Sequence, residues 1–216
     1  MRDVHCHILP NVDDGAKDLN ESLSMLEAAK RAGITSIVCT PHCRDPYFDY
    51  DAMWDAFELL KDHANGFPLQ MGFEVNHSKL MDLGLEWADR LCFDGSNEFL
   101  LELSVNADKL DFIEYERTIY ELHGRGYQVI IAHPERYRAI QEDIDLARKL
   151  MKMGCKLQAS SDFIAGGRFG KERKPAKRMF DELMYTYIGS DAHKESHYAY
   201  YKEAVGKYSL RGKHFK

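Results

Sequence analysis

Short apolar runs alternate along this chain with longer segments in which apolar residues recur at helical spacing. The runs lie near 2–6, 35–40, 69–74, 99–103, 128–132, 155–160 and 186–190. Such repeated strand–helix units predict parallel strands joined by crossover helices. Because no linker rich in Pro, Gly or Ser divides the units, we expect a single domain over residues 1–216, built as one closed or nearly closed barrel.

The first predicted helix, at about 20–32, places Leu23, Leu26, Ala29 and Ala32 on one face. Further helices are predicted at about 51–60, 80–87, 108–124, 144–151, 175–183 and 200–204. The segment 161–175 is the most loop-like, with a mobile loop expected near the mouth of the barrel. The residues from 209 to 216 are expected to form a loosely held basic tail.

Acidic or imidazole side chains occur where nearly every apolar run ends. They are His5, His7, His42, Glu74, Glu102, His133, Asp191 and His193, and the pair Asp13 and Asp14 follows the first run. In a barrel of parallel strands, the carboxyl ends of all strands meet at one face, where sites form. We therefore expect these side chains to converge.

Each of these residues has an ordinary structural interpretation when taken alone. A His-x-His pair faces one side of a strand in many proteins without metals, and an Asp-Gly turn is commonly just solvated. Taken together, so many imidazoles and carboxylates would repel one another strongly unless multivalent cations lay between them. Mixed imidazole and carboxylate ligation suits Mn, Fe or Zn better than Mg or Ca, and the number of candidates implies two or three ions.

Composition and charge narrow the classes of function. The chain has 216 residues, a net charge of −6 and a pI near 5.9, which argues against a nucleic-acid-binding surface. No apolar stretch approaches the roughly 20 residues that span a bilayer. The first residues lack the apolar core of a secretory signal, so a cytoplasmic location is expected.

The cysteines exclude one kind of phosphatase. The five cysteines form no Cys-x-x-Cys pair, so buried, reduced thiols are expected. Cysteine-dependent phosphatases need an arginine six positions after the nucleophile. The residues found six positions after each cysteine are Val12, Asp45, Asp49, Glu98 and Ser161.

Two arginines and a lysine are candidates for binding phosphate. Arg44 follows His42 by two positions, and Arg136 follows His133 by three. Guanidinium groups match phosphate oxygens in a bidentate fork, although for Arg44 a surface ion pair is an equal alternative. Lys194, beside His193, is a third candidate. With a metal-activated hydroxide, such a site is suited to hydrolysing a phosphate ester.

The segments VHCHILPNVDDG, CTPHCR, GFEV, LLELS, IAHPERY and IGSDAH occur in this order. They resemble the PHP (polymerase and histidinol phosphatase) superfamily and, within it, the bacterial tyrosine-protein phosphatases of capsule and exopolysaccharide synthesis. The resemblance runs from Asp3 to about His193. It implies a distorted (β/α)7 TIM-like barrel, three divalent metal ions that are usually manganese, and a phosphotyrosine substrate on the tail of a tyrosine autokinase.

The resemblance also implies how the ligands are divided. The first metal would be held by His5, His7, Glu74 and Asp191; the second by Glu74, Glu102 and His133; the third by Asp14, His42 and His193. Asp14 is chosen over Asp13 because it directly precedes Gly15. Arg136 corresponds to a phosphate-binding arginine of the family.

Two departures from the family pattern matter. The family often has another arginine after the SDAH motif, where this chain has KESHYAYY, so that contact is missing or comes from Lys194 or His197. The chain also stops before a final helical segment, which leaves the oligomeric state open. The alternatives are a PHP phosphatase for histidinol phosphate or a sugar phosphate, a phosphodiesterase or nuclease, and a non-catalytic metal-stabilised binding module.

Overall fold

Every strand of this protein is short and pairs with its neighbours in parallel. A computed structural model describes residues 1–208 and residue 210, so the predicted basic tail lies almost wholly outside the described residues. The strands are β1 (Arg2–Cys6), β2 (Ser36–Cys39), β3 (His42–Cys43), β4 (Leu69–Met71), β5 (Glu74–Asn76), β6 (Glu98–Glu102), β7 (Gln128–Ala132), β8 (Lys156–Ser160) and β9 (Tyr187–Gly189).

Helices follow most of these strands. They are α1 (Leu19–Arg31), α2 (Tyr50–His63), α3 (His77–Leu83), α4 (Ala88–Leu91), α5 (Asp111–Gly124), α6 (Arg138–Glu142), α7 (Asp145–Lys152), α8 (Arg173–Asp181) and α9 (His197–Lys207). Short 3-10 helices span Leu85–Trp87, Pro134–Arg136 and Ser161–Ala165. The predicted loop at 161–175 is therefore partly wrong, because it contains a 3-10 helix and the start of α8.

The strands form two sheets where the sequence predicted one barrel. The first has the order β1-β2-β4 and the second β3-β5-β6-β7-β8-β9, with a single bridge from Cys6 to Ala192 joining β1 to the end of the second sheet. The predicted second and third strands are each interrupted, at Thr40-Pro41 and at Gly72-Phe73. Pro41 has no N–H to donate to a ladder. The structure is thus an α/β domain with a curled six-stranded sheet rather than one continuous seven-stranded ladder.

The alternation of side chains along the strands separates two apolar clusters. Val4, Val38, Leu100 and Ile130 face inward and pack with Phe93 and Ala132 in a small, fully buried cluster. Their neighbours Ile37, Leu101 and Ile131 face outward and join the larger core under the helices. The inner cluster occupies the space enclosed by the strands, between the groups of polar side chains at the two strand ends.

Candidate metal centre

All nine predicted ligands converge at one edge of the strands. Most lie at or beyond the carboxyl end of a strand, whereas His42 and Glu74 are the first residues of β3 and β5, directly after the breaks that follow β2 and β4. The second sheet sets His42 of β3 directly beside Glu74 of β5, and β6 ends at Glu102. Most of these side chains are buried, with His5 and His7 0% exposed, whereas Asp14 and His193 lie at the rim. The parallel topology therefore brings together residues that are far apart in the sequence.

Four groups of these residues could each hold an ion, with their ligand atoms all within 4.8 Å of one another. The groups are His7, Asp14, His42 and His193; His5, His7 and Glu74; His5, His133 and Asp191; and His42, Glu74 and Glu102. Their union contains the whole predicted set. The grouping differs in three ways from the division implied by the family resemblance: His7 also lies beside Asp14, His42 lies beside Glu74 and Glu102, and His133 is grouped with His5 and Asp191.

Glu74 lies at the centre of the cluster, in contact with four imidazoles. Its Oε1 is 2.7 Å from Nε2 of His133, and its Oε2 is 2.7 Å from Nδ1 of His42. Nε2 of His5 and Nε2 of His7 each lie 3.4 Å from Oε2. A carboxylate in this position can bridge two ions, with its neighbours completing their coordination.

Several inward-facing atoms of the cluster have no hydrogen-bond partner in the part of the chain that the structure describes. They include Oε2 of Glu74 and Nδ1 of His42, which lie 2.7 Å apart as an ion pair but do not form a hydrogen bond, and Nε2 of His193, which lies 3.3 Å from Oδ1 of Asp14. Buried polar atoms are normally satisfied, and an unpaired group is costly. Imidazole nitrogens and carboxylate oxygens that converge without partners fit divalent cations of the Mn, Fe or Zn type.

The charges of the cluster shift several pKa values in opposite directions. Burial alone would lower the pKa of His5, but Glu74 and Asp191 outweigh it and raise the pKa to about 9. Burial also opposes protonation of His42, whose pKa is raised to about 10 mainly by Glu74 and Asp14. Burial and the nearby Arg136 lower the pKa of His133 to about 4. Without a cation, this cluster therefore reduces its negative charge by holding protons on selected imidazoles.

A second layer of contacts orients two of the imidazoles, and sequence reasoning missed it. Oδ2 of Asp13 lies 2.8 Å from Nδ1 of His7, and Oε1 of Gln158 lies 2.9 Å from Nδ1 of His5. In both histidines Nε2 is left facing the cluster. The Asp13-Asp14 pair was a signal for the first contact. Gln158 lies in the run at 155–160, which alone among the seven apolar runs does not end in an acid or a histidine. No local signal therefore marked it.

The turn after β1 depends on Gly15. A Cβ at this position would lie 2.0 Å from the carbonyl oxygen of His7, so only glycine allows the chain to fold back here. The amide of Gly15 donates to Oδ1 of Asp13 (2.9 Å), and Asp14 is left to face Nε2 of His42 at 3.1 Å. The two aspartates are thus directed to different tasks by one tight turn.

Two candidate ligands have left-handed backbone conformations. His133 has φ of 31° and Asp191 has φ of 48°. Such conformations are uncommon for residues other than glycine and are found where a site imposes them. His133 directly follows β7, and Asp191 lies two residues after the end of β9, so both turns direct a side chain into the cluster.

The three predicted phosphate-binding residues are placed differently. Arg136 is only 7% exposed, and its Nη2 contacts Asp191 as well as Ser160 Oγ (3.0 Å) and Asp162 Oδ2 (2.9 Å). Arg44 is more open, with Nη2 2.8 Å from Nε2 of His42. Both arginines line a cavity of about 430 Å³ over the cluster.

Lys194 is not in that cavity. It is exposed and lines a separate hollow between α1 and α9, and its side chain makes no hydrogen bond or ion pair with residues 1–208 or 210. Its predicted contact with substrate therefore has no geometric support.

The cysteines are not poised for nucleophilic chemistry. Cys6, Cys39, Cys43 and Cys155 are buried, and burial raises the pKa of Cys43 and of Cys155 to about 12. A thiolate is required for attack on phosphorus. The expectation of buried, reduced thiols is confirmed for these four cysteines, whereas Cys92 is free but only partly buried.

The fold and the site together define a class: a parallel α/β protein with a candidate metal centre of histidines and carboxylates at its strand ends. Residues 1–205 match the family described as capsular polysaccharide synthesis, CpsB/CapC, and the chain belongs to that family. No helix within the described residues is both long and apolar enough to cross a membrane.

Relatives of known name are similar over most of the chain. The tyrosine-protein phosphatase YwqE of Bacillus subtilis is 33% identical, with 89% of this chain and 77% of the relative covered. The tyrosine-protein phosphatase CpsB of Streptococcus agalactiae is 28% identical, with 89% and 83% covered. A solved structure from work on YwqE of Bacillus subtilis and CpsB of Streptococcus pneumoniae, described as unique metal-dependent tyrosine phosphatases, has a TM-score of 0.77 at 28% identity. It covers 96% of this chain and 88% of that one.

Proposed function

We propose that this protein is a metal-dependent protein-tyrosine phosphatase that hydrolyses phosphotyrosine, with the tail of a tyrosine autokinase of capsule or exopolysaccharide synthesis as its partner. The observation that carries the proposal is Glu74 surrounded by four imidazoles beneath a cavity lined by Arg44 and Arg136, with several inward-facing atoms that make no hydrogen bond within the described part of the chain. The names of the relatives support the same activity.

We assign three divalent ions, with Mn²⁺ preferred and Fe or Zn as alternatives. The proposed ligands are His5, His7, Asp14, His42, Glu74, Glu102, His133, Asp191 and His193. Bound cations of this kind lower the pKa of water toward neutrality and neutralise the charge of phosphoryl oxygens. The ligand set supports this number because it is larger than one ion uses and has a central carboxylate able to bridge.

The two arginines have separate roles in this proposal. Arg44, which is part-exposed at the mouth, binds the phosphoryl group of the substrate with its guanidinium fork. Arg136 is held by Asp162 and Ser160 and in turn positions Asp191, while its face on the cavity contributes positive potential to the phosphoryl site. A phenolate leaving group, with a pKa near 10, needs little help from a general acid.

Two structural expectations remain proposals of the same kind. The two sheets and the Cys6–Ala192 bridge support a distorted seven-unit barrel of the PHP type, in which each interrupted strand counts as one unit. A single domain over 1–216 is supported by the one large core cluster that runs from Cys6 to Leu210. A cytoplasmic location stays a prediction from the sequence.

The test combines elemental analysis with a substrate panel. Purified protein is expected to contain more than one transition-metal ion per chain and to release phosphate from a phosphotyrosine peptide. The His5→Ala variant should lose both properties. Faster turnover of histidinol phosphate, or cleavage of a single-stranded oligonucleotide, would favour the alternative activities. Turnover that survives complete removal of metal would reject the proposal.

A further inference from the structure

The segment from Gly166 to Glu172, called here the 166–172 loop, is folded around a buried carboxylate. Glu172 is 0% exposed, and its oxygens accept hydrogen bonds from the amides of Phe169 (2.7 Å) and Lys171 (2.6 Å). Gly167 has φ of 83°, and a Cβ there would lie 2.5 Å from the carboxyl carbon of Glu172. The loop therefore has a defined shape that its buried acid and its glycine maintain.

The loop is attached to the candidate metal centre at its amino-terminal side. The amide of Gly167 donates to the carbonyl of Asp162 (3.0 Å), and the carboxylate of Asp162 accepts from Arg136 (2.9 Å) and from Ser160 (2.8 Å). Arg136 and Ser160 also contact Asp191. The position of the loop is thus linked to a proposed metal ligand through short polar contacts.

This attachment holds Arg168 over the mouth of the site. Nη2 of Arg168 lies 3.6 Å from Oδ2 of Asp14, and Nη2 of Arg44 lies 3.8 Å from the same oxygen. Two guanidinium groups therefore converge on one point at the rim. Arg168 makes no hydrogen bond with the described residues, and its side chain is 45% exposed, so its donors are available to a ligand. A phosphoryl dianion has the charge and the oxygen geometry that such a pair recognises.

Phe169 is the adjacent apolar residue of the loop. It is 55% exposed, an unusual state for a phenyl ring, and it lines the cavity over the cluster together with Val105 and Tyr115. Ligand cavities commonly combine an aromatic wall with a few placed polar groups. An aryl phosphate bound between the guanidinium pair and the metals would bring its ring against this wall.

We propose that the 166–172 loop recognises the substrate, with Arg168 and Arg44 binding the phosphoryl oxygens as a pair and Phe169 packing on the tyrosyl ring. This inference rests on the proposed phosphotyrosine phosphatase activity. In this arrangement Arg168 takes the place of the second arginine that is absent after the SDAH motif, from a different part of the chain. The loop also distinguishes aryl from alkyl phosphates, because Phe169 contacts only the leaving group.

The test separates KM from kcat in manganese-loaded protein, with a phosphotyrosine peptide and an alkyl phosphate, glycerol phosphate, as substrates. Arg168→Ala should raise KM for both roughly 10- to 100-fold, as expected for lost hydrogen bonds to a charged group. Phe169→Ala should raise KM about 3- to 10-fold for the peptide alone. Arg173→Ala removes the same charge from an exposed site at the start of α8 and should change neither.

A binding measurement gives a readout that does not need turnover. Titration of inorganic phosphate into manganese-loaded protein should show weaker binding for Arg168→Ala, an intermediate affinity for Arg168→Lys, and no change for Phe169→Ala. Wild-type protein that fails to hydrolyse the peptide would overturn the proposed function itself. Active wild type with unchanged KM and phosphate affinity in Arg168→Ala would overturn the loop's role alone.

Discussion

The two ends of the strands carry polar clusters of opposite character. At the amino ends, the carboxylate of Glu98 on β6 accepts from Arg2 of β1 (2.7 Å), Lys156 of β8 (2.9 Å) and the hydroxyl of Tyr187 of β9 (2.7 Å). One acid there meets two cations and one hydroxyl, so both its oxygens have partners. At the carboxyl ends, Glu74 lies against four imidazoles, and several buried imidazole and carboxylate atoms make no hydrogen bond with the described residues.

The difference separates a structural polar cluster from a ligand site. The network around Glu98 is complete within the protein and joins four strands, as expected of a feature that stabilises the fold. The cluster around Glu74 is incomplete without added positive charge. A surplus of buried ligand atoms, rather than the mere presence of charged residues, is what indicates metal binding.

Removal of the central carboxylate should have the largest effect. Loss of a residue that only contacts a metal ligand lowers metal affinity by up to about 100-fold. Because Glu74 is itself a proposed ligand, Glu74→Ala is expected to lower metal affinity by more than this and to abolish phosphatase activity. Elemental analysis and phosphate release measure the two effects. Glu98→Gln is the control at the opposite end and should retain both metal and activity. Full metal content in Glu74→Ala would contradict its central position.

Loss of an orienting contact should have a smaller effect. Asp13→Ala and Gln158→Ala leave the proposed ligands in place but remove the partners of His7 and His5. Metal affinity should fall about 10- to 100-fold, measured by competition with a chelating dye. Gln70→Ala is the matched control, because Gln70 contacts Arg2 at the amino ends. Equal losses in Gln158→Ala and Gln70→Ala would point to general destabilisation instead.

Metal binding should compete with protons. In the metal-free protein the pKa of His5 is about 9 and that of His42 about 10, so both imidazoles are protonated near pH 7 and must release protons to bind a cation. The affinity for the metal should rise with pH, by up to about tenfold per pH unit for each proton displaced.

The folding stability of the metal-free protein should fall as pH rises, whereas its metal affinity should increase. Because the pKa values of His5 and His42 are raised in the folded protein, their contribution to stability is complete below about pH 6.5. It is lost as pH rises through 9 to 10. Calorimetric titration at pH 6.5 and 8 measures the affinity, and thermal unfolding of free and loaded protein measures the stability. An affinity independent of pH would contradict the proton-holding cluster.

The smallest effect on activity is expected at the amino ends. Burial would raise the pKa of Glu98, but hydrogen bonds from Tyr187, Lys156 and Arg2 lower it to about 2. The contribution of Glu98 to folding stability is therefore complete above about pH 4.5 and is lost as pH falls toward 2. Glu98→Gln should lower the free energy of unfolding by about 1–3 kcal/mol in urea at pH 7, with kcat unchanged. A large fall in kcat would remove the distinction between the two ends.

Local pattern was sufficient to predict much of this molecule. The predicted bounds of β7, 128–132, match the observed ones because residues 129–132 form an uninterrupted apolar run, and all four are buried in the structure. The polar residues that follow each strand were equally visible, and parallel pairing requires them to meet. The parallel α/β class and the convergence of these His, Asp and Glu side chains were therefore predictable from the order of residues, whereas the choice of Asp14 over Asp13 came from the family resemblance.

Only tertiary structure decided how those residues are used. It divided two predicted strands at Pro41 and Gly72, directed Asp13 to His7 and Asp14 to the rim, and brought Gln158 to His5 across 153 positions of sequence. It also buried Arg136 among acids and placed Arg168 beside Arg44. Periodicity reports which face of an element is buried, whereas these contacts depend on the distance between elements, which is set by packing of the whole domain.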